Sequence, residues 1–182
     1  MFIVTVSPFE KTLLEHDIDC VYTCSPVLRK LLTGNRTMPD ALSPEQKAAR
    51  LASLEKHLDA ENNHDVDGIM KTYGQNPVVV INSYTFEHPQ GIRSFHEKFG
   101  FGQCGSFTNL RVQERQRYTC DDAIILEATL SGKHTATWQG IAATGRDFEI
   151  PVCTIYTFDE EGKLAGEHVY FDSSMLISQL RS

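Results

Sequence analysis

The stretch 167–172 near the end of the chain carries the residue types that acid–base chemistry needs. Side chains alternate across a β-strand, so we expect His168, Tyr170 and Asp172 to share one face and the apolar residues between them to share the other. If the apolar face packs on protein, the polar face lines a cavity. A histidine, a phenol and a carboxylate in one pocket can remove a proton from a substrate and return it. Asp172 has a second interpretation, because Asp before a helix is a common cap.

His134 is the next candidate for chemistry. Strand alternation puts it on the same side as Ala136 and Trp138, and Trp138 could form an apolar pocket wall beside it. The alternative for His134 is a hydrogen-bonded histidine near a hairpin turn. We expect no metal site, because the nearest pattern, His16, Cys20 and Cys24, leaves a tetrahedral zinc site one ligand short.

The part of the chain that precedes these candidate residues carries helix signals. Ser43-Pro44-Glu45-Gln46 has the composition of a capping box and predicts a helix start. Helical spacing of apolar residues then continues to Tyr73, which predicts one long bent helix or two short ones. Pro89 and Gly100 bracket a further helix.

Strands follow the helices. Segments rich in β-branched and aromatic residues, separated by turn signals, predict strands at 107–119, 123–131, 134–142, 148–158 and 163–171, and a short helix at 173–180. Hairpin-length links between consecutive strands make an antiparallel meander. Helices grouped before a run of strands indicate an α+β fold with the helices packed on one face of the sheet.

The domain organisation is an N-terminal extension, 1–43, and one domain, 44–182. The extension has a β-prone segment and a short amphipathic helix. It could add an edge strand, cover a pocket or lie across a dimer partner, and the sequence leaves all three open.

Composition excludes several function classes. The net charge of −7 and the lack of a Lys/Arg cluster argue against nucleic acid as a partner. No apolar run approaches the ~20 residues of a membrane helix. Five cysteines without a CxxC pair fit reduced thiols, and the start of the chain has no signal-peptide pattern, so we expect a cytoplasmic protein.

Several spaced motifs carry a family resemblance. They are the segment Leu130 to Arg146 (LSGKHTATWQGIAATGR), the segment Ile155 to Leu164 (IYTFDEEGKL), and the last strand ending in Asp172 before a helix that finishes in Gln179-Leu180. Together they resemble the SnoaL-like polyketide cyclase family within the nuclear-transport-factor-2-like superfamily. The resemblance covers about residues 44 to 182. It implies a curved antiparallel sheet that forms a cone-shaped half-barrel, packs against the helices and encloses a pocket.

The resemblance also implies a function. Asp172 matches the carboxylate that the cyclase-like members use as acid and base, His134 occupies the family's Gly-x-His-Thr position, and no cofactor is implied. We therefore expect a cofactor-independent isomerase or cyclase that acts on a small apolar carbonyl compound in a cavity of about 300–1,000 Å³. The alternative is a non-catalytic binding or assembly module of the same fold. Candidate substrate contacts are Trp138, Tyr73 and Tyr156, of which Tyr73 also fits core packing.

A homodimer is expected under either interpretation. An outer apolar face of the sheet, with residues such as Val169, Phe171 and Ile155, would need covering. Members of the resembling family commonly pair through that sheet.

Overall fold

The computed structural model describes residues 41–181 of the 182-residue chain. Our expectations for the strand, the helix and the His16, Cys20 and Cys24 pattern of the N-terminal extension lie outside the described residues.

The first two helices are separated by a capped break. α1 spans Pro44–Asn62 and begins with the predicted capping box, in which the Ser43 and Gln46 side chains each accept from the other's backbone N–H. α2 spans Val66–Thr72, and the Asp65 side chain caps it by accepting from the Gly68 N–H. The predicted helical region is thus two helices, because the Asp65 cap can satisfy the first N–H groups of a new helix only if the chain leaves the first one.

Two strands that we did not predict follow α2. β1 spans Tyr73–Ile81 and β2 spans Tyr84–Glu87, and they form an antiparallel hairpin. α3 spans Pro89–Phe99, with the predicted Pro at its start and Gly100 at its end. Gly100 has φ +141°, and a Cβ there would lie 2.1 Å from the Phe107 carbonyl oxygen, so only glycine fits this helix end.

Four long strands complete the sheet, and a last helix follows them. They are β3 Phe107–Thr119, β4 Ala123–His134, β5 Asp147–Phe158 and β6 Leu164–Phe171, followed by α4 Ser173–Arg181. Their order β2-β1-β6-β5-β4-β3 makes one curved, open sheet of six strands. β3 to β6 form the predicted antiparallel meander. β1 joins β6 in parallel, so the sheet as a whole is mixed, and the α+β cone fold is confirmed.

The predicted strand at 134–142 is wrong. β4 runs on to His134, and the segment after it holds only one isolated bridge, between Trp138 and Ile141. Gln139 and Gly140 between them both have positive φ, at +45° and +78°. This tight turn reverses the direction of the chain, so the segment cannot continue as an extended strand.

The inner face of the sheet carries most of the core. Alternate residues of β4 and β5 are buried there, and Leu54 and Ile92 pack against them from α1 and α3 with no exposed surface. Burying a Leu or Ile side chain stabilises a fold by about 1.5–3 kcal/mol. This core fixes the helices over the concave side of the sheet. Among residues 41–181, no helix is long and apolar enough to cross a membrane.

Candidate active site

A small cavity lies between the helices and the concave face of the sheet. Its volume is about 40 Å³, room for roughly three water molecules. The expected volume of about 300–1,000 Å³ is therefore wrong for this conformation, because aromatic side chains fill most of the cone. The lining residues are Glu61, Ile81, Phe95, Phe99, Phe101, Val112, Leu130, Val152, Thr154, Tyr156, Glu167, Val169 and Phe171.

Two carboxylates and a histidine meet at one end of the cavity. Glu61 comes from the last turn of α1 and Glu167 from the middle of β6, and both are 4% exposed. His57, one helical turn before Glu61, is fully buried. Its Nε2 lies 3.7 Å from Glu61 Oε1 and 3.7 Å from Glu167 Oε2. We call these three residues the floor cluster.

The tautomer of His57 follows from its neighbour Thr72. The Thr72 hydroxyl donates its one hydrogen to the Ile69 carbonyl at 2.6 Å, so it can only accept from His57 Nδ1 at 2.8 Å. In neutral His57 the proton therefore sits on Nδ1, and the lone pair of Nε2 faces two carboxylates. Among the described residues 41–181, no hydrogen-bond partner lies close enough to satisfy this buried Nε2. A lone pair that faces two buried carboxylates is unfavourable, so a proton must bind either Nε2 or one of the carboxylates.

The charges of the floor cluster are strongly linked. Burial raises the pKa of Glu167 to about 7, and the nearby Glu61 carboxylate adds to this, while His57 and the Tyr73 hydroxyl act in the opposite direction. Burial lowers the pKa of His57, but the Glu61 and Glu167 carboxylates outweigh it and raise that pKa overall. Near neutral pH the cluster therefore holds a proton that it can give up or take back.

Tyr73 and Tyr156 lie beside the floor cluster. The Tyr73 hydroxyl donates to Glu167 Oε2 at 2.5 Å, which fixes one oxygen of that carboxylate. Tyr156 is 2% exposed and lines the cavity. Burial and the neighbouring Glu167 raise the pKa of both tyrosines well above the usual value. Both phenols therefore keep their protons, and each can donate a hydrogen bond, as Tyr73 does to Glu167.

His96 lies beside the cluster without joining its proton exchange. Its Nδ1 donates to the Ile92 carbonyl at 2.8 Å, and its ring packs edge-on against His57 at 6.4 Å. Burial lowers the pKa of His96 to about 4, so this ring is neutral at physiological pH.

The same residues offer a possible metal-ligand set. His57, His96 and Glu167 each present one ligand atom, all within 4.8 Å of one another. Tetrahedral zinc with bonds of about 2.0–2.2 Å holds its ligand atoms about 3.5 Å apart. The 3.7 Å between His57 Nε2 and Glu167 Oε2 is close to this spacing, but the Tyr73 hydroxyl already donates to the same Glu167 oxygen. The arrangement of Glu167 and His57 can also transfer a proton.

The other end of the cavity reaches the protein surface. Phe95, Val112, Val169 and Phe171 line it and are all half-buried. This apolar mouth is the route by which a ligand would enter, since the remaining lining residues are buried.

The predicted polar face of β6 lies on the outer side of the sheet, away from the cavity. Glu167, Val169 and Phe171 face the cavity, so His168 and Tyr170 lie on the outer face, where Tyr170 is 45% exposed. Alternation was predicted correctly, but its direction was reversed. Val169 and Phe171 face inward because most of the other residues that line the cone are also apolar.

Asp172 lies beyond the cavity and caps α4. It is exposed, and its Oδ1 accepts from the Ser174 hydroxyl and N–H at 2.7 and 2.8 Å and from the Met175 N–H at 3.3 Å. The Ser174 hydroxyl and these N–H groups lower the pKa of Asp172. The capping interpretation accounts for all of these contacts, and the structure does not bring Asp172 to the cavity.

His134 and Trp138 lie at a different end of the core. His134 is fully buried, and its Nδ1 is 3.1 Å from the Thr144 hydroxyl. Its ring packs on Phe107 at 5.4 Å, as Trp138 does at 5.5 Å. Neither residue lines the cavity. Of the seven predicted site residues, the structure brings Tyr73 and Tyr156 to the floor cluster and leaves the other five outside it.

Sequence reasoning missed three residues of the site. His57 and Glu61 are spaced at i+3 and i+7 from Leu54, so they belong to the apolar stripe of α1. Glu167 alternates with Val169 and Phe171 on β6. A titratable residue at a position that periodicity assigns to the core was the available signal for all three.

Comparisons with known proteins agree with this architecture. The sequence profile of the SnoaL-like polyketide cyclase family matches residues 52–180. The chain belongs to the SnoaL-like polyketide cyclase family. No curated protein is significantly similar to the chain in sequence.

Solved structures of this SnoaL-like fold come from several bacteria. A SnoaL-like protein from Jannaschia sp. CCS1 is 15% identical with a TM-score of 0.67, and the match covers 78% of this chain and 96% of that one. A polyketide-cyclase-type protein from Xanthomonas campestris is 14% identical, with a TM-score of 0.66 and coverages of 74% and 98%. A Catenulispora acidiphila protein with a ketosteroid isomerase-like fold, solved with trimethylamine, is 15% identical, with a TM-score of 0.59 and coverages of 77% and 95%. At these identities the likeness concerns the fold.

Proposed function

We propose that this SnoaL-like protein is a cofactor-independent acid–base enzyme of the isomerase or cyclase type, with Glu167 as the group that moves the proton. The observation that carries the proposal is a carboxyl group with a pKa of about 7 that is buried in an apolar cavity. A general base works best when its pKa lies near the operating pH. Glu167 thus takes the role that the family resemblance gave to Asp172.

The proposed reaction is proton removal beside a carbonyl group. The Glu167 carboxylate takes the α-proton, the electrons of the broken C–H bond form a C=C bond, and the π electrons of the carbonyl move to its oxygen. The resulting enolate takes the proton back from Glu167 at another carbon, or it attacks an electrophile within the same molecule and the product takes the proton from Glu167. Tyr156 lines the cavity as a protonated phenol and can donate to the enolate oxygen. His57 exchanges the proton with Glu167 after each cycle, since its Nε2 faces that carboxylate.

The size of the cavity limits what can react there. Room for roughly three water molecules accepts only the reacting end of a substrate. The rest of the molecule would extend through the mouth between Phe95 and Phe171.

Deuterium exchange tests the proposal without knowledge of the natural substrate. Acetone, butanone and cyclopentanone are incubated with the protein in D₂O, and loss of the α-proton signal is followed by NMR. We expect exchange with at least one ketone and a loss of about 10²–10⁴-fold in Glu167→Gln. Glu127→Gln is the matched control, because Glu127 is exposed on β4, which is separated from β6 by β5. Exchange that Glu167→Gln leaves intact would refute the assignment.

A non-catalytic binding module is the second candidate. Two observations favour it: the cavity is small, and Asp172 engages only α4. This candidate predicts no exchange of any of the three ketones by the wild-type protein.

We also propose a homodimer formed through the outer face of the sheet. Val169 and Phe171 cannot contribute, as they face the cavity. Support comes from a row of partly exposed residues across the outer face, in which Ile125 pairs with Ile155 and Ile155 pairs with His168. Light scattering coupled to size exclusion should give a dimer for the wild type and a monomer for Ile155→Lys, and a monomeric wild type at micromolar concentration would contradict this.

The remaining features of the proposal are a small apolar molecule as the partner and a cytoplasmic location. The first is supported by the apolar lining of the cavity. The second still rests on the sequence, as does the absence of a cofactor.

A further inference from the structure

The charge of the cavity lining is one-sided. Within the described part of the chain, the only charged residues that line the cavity are Glu61 and Glu167, and both are acids. Protonated His57 offsets one negative charge, but it lies behind the carboxylates, is fully buried and does not line the cavity. An anionic ligand would therefore meet two carboxylates with no cation in the lining to compensate it.

Glu61 has no part in the proposed proton transfer. Its carboxylate is buried and lines the cavity, and within residues 41–181 the one side-chain interaction that holds it is the 3.7 Å ion pair with His57. Glu167, in contrast, also accepts a hydrogen bond from the Tyr73 hydroxyl. A buried carboxylate needs a compensating partner. Glu61 must share the single charge of His57 with Glu167, so the cluster is one positive charge short whenever both acids are ionised.

Aromatic rings surround the same space. The ring of Phe99 stacks against Phe95 at 5.6 Å and against Phe101 at 5.9 Å. Tyr156 and Phe171 contribute two more rings from the sheet. The face of an aromatic ring attracts a cation within about 6 Å of its centre, and the attraction is strongest where water is excluded. Five rings around two carboxylates are the chemistry of an ammonium site.

We propose that the cavity binds a small organic ammonium group, with Glu61 as its counter-charge and the phenylalanine rings as its walls. The inference deepens the proposed function, on which its catalytic meaning rests, by replacing the purely apolar substrate with amino ketones or related compounds whose cationic group enters the cavity. Glu61 then holds the cation while Glu167 moves the proton. A methylated ammonium group is compact, which suits the cavity volume of about 40 Å³. It also needs few hydrogen bonds, which suits the mostly apolar lining.

Three probes of similar shape and different charge test the proposal on the wild-type protein. Tetramethylammonium chloride, tert-butanol and sodium pivalate are titrated separately, and binding is followed by methyl NMR shifts of Ile81, Val112 and Val169 in the lining. We expect tetramethylammonium to bind about 30-fold or more tightly than tert-butanol, and pivalate not to bind measurably. If tert-butanol binds as well as the cation, or if the cation leaves these signals unmoved, the proposal is wrong.

Variants identify the residues responsible. Glu61→Gln keeps the shape of the side chain and should weaken tetramethylammonium binding about tenfold or more, with tert-butanol unaffected. Glu127→Gln should bind both probes as the wild type does. An unchanged cation affinity in folded Glu61→Gln would overturn the role of Glu61, and the wild-type probe series decides the proposal if that variant does not fold.

The two proposals fail in different ways. Ketone exchange that Glu127→Gln keeps and Glu167→Gln loses supports proton transfer, whatever the probes do. Charge-selective binding in a protein that exchanges no ketone supports the ammonium site as a binding site and removes only its catalytic meaning.

Discussion

Replacing Glu167 by Gln should change how the stability of the protein depends on pH. The pKa of this carboxyl rises from 4.5 in the unfolded chain to about 7 in the folded protein, mainly through burial. Between these two values the folded state binds more protons than the unfolded state, so the free energy of unfolding falls as pH rises. The whole shift corresponds to about 3 kcal/mol, present below pH 4.5 and lost by about pH 7 to 8. Glutamine is neutral at every pH and removes this loss.

Urea unfolding at half-unit steps from pH 5 to pH 8 measures the effect. The signal is the fluorescence of Trp138, the only tryptophan. Relative to Glu167→Gln, the wild type should lose about 3 kcal/mol across this range, and His57 acts in the same direction because its pKa is also raised. Glu127→Gln should follow the wild type. Parallel curves for the wild type and Glu167→Gln would refute the reasoning.

Two further substitutions test the supports of the site. Thr72→Val removes the acceptor for His57 Nδ1 and should cost about 1–3 kcal/mol in urea unfolding, which Thr72→Ser should largely spare; a Val variant as stable as the wild type would count against the tautomer assignment. Gly100→Ala should cost more than about 2 kcal/mol because its Cβ meets the Phe107 carbonyl oxygen, whereas Gly145→Ala, with φ +67° and open space, should cost about 1 kcal/mol. Equal losses for the two glycines would contradict the steric argument.

The sequence predicts the helices and the meander well because their signals are local. The Ser43 cap, Pro89 and Gly100 mark helix ends through backbone hydrogen bonds and φ angles that neighbouring residues determine. β1 was missed although Val78 to Ile81 is a β-branched run before an Asn-Ser turn. Besides its hairpin partner β2, β1 pairs in parallel with β6, about 90 residues further on, and this parallel pairing leaves no local pattern.

The direction of β6 could not be read from alternation. A strand pattern separates two faces but does not say which one meets the cavity. We assigned the polar face of His168 and Tyr170 to the pocket, on the assumption that the apolar face packs on protein. Apart from the carboxylates of Glu61 and Glu167, the cone is lined mainly by apolar side chains, so the face of Val169 and Phe171 turns inward.

The floor cluster needed three-dimensional information. His57 and Glu61 are recognisable in sequence only as polar residues on the apolar stripe of α1. Their meeting with Glu167 depends on how α1 lies across β6, which packing of the whole core decides. Resemblance to the family indicated a carboxylate at the end of the last strand, and the structure offers another one five residues earlier.

The comparison of two variants, Glu167→Gln and Asp172→Asn, tests the central claim most directly. Both remove one carboxylate near the end of the chain, one inside the cavity and one outside it. In the D₂O exchange assay, our account predicts that Glu167→Gln loses at least about 100-fold in rate while Asp172→Asn keeps the wild-type rate, since Asn can still cap α4. Loss of exchange in Asp172→Asn together with full activity of Glu167→Gln would contradict the account.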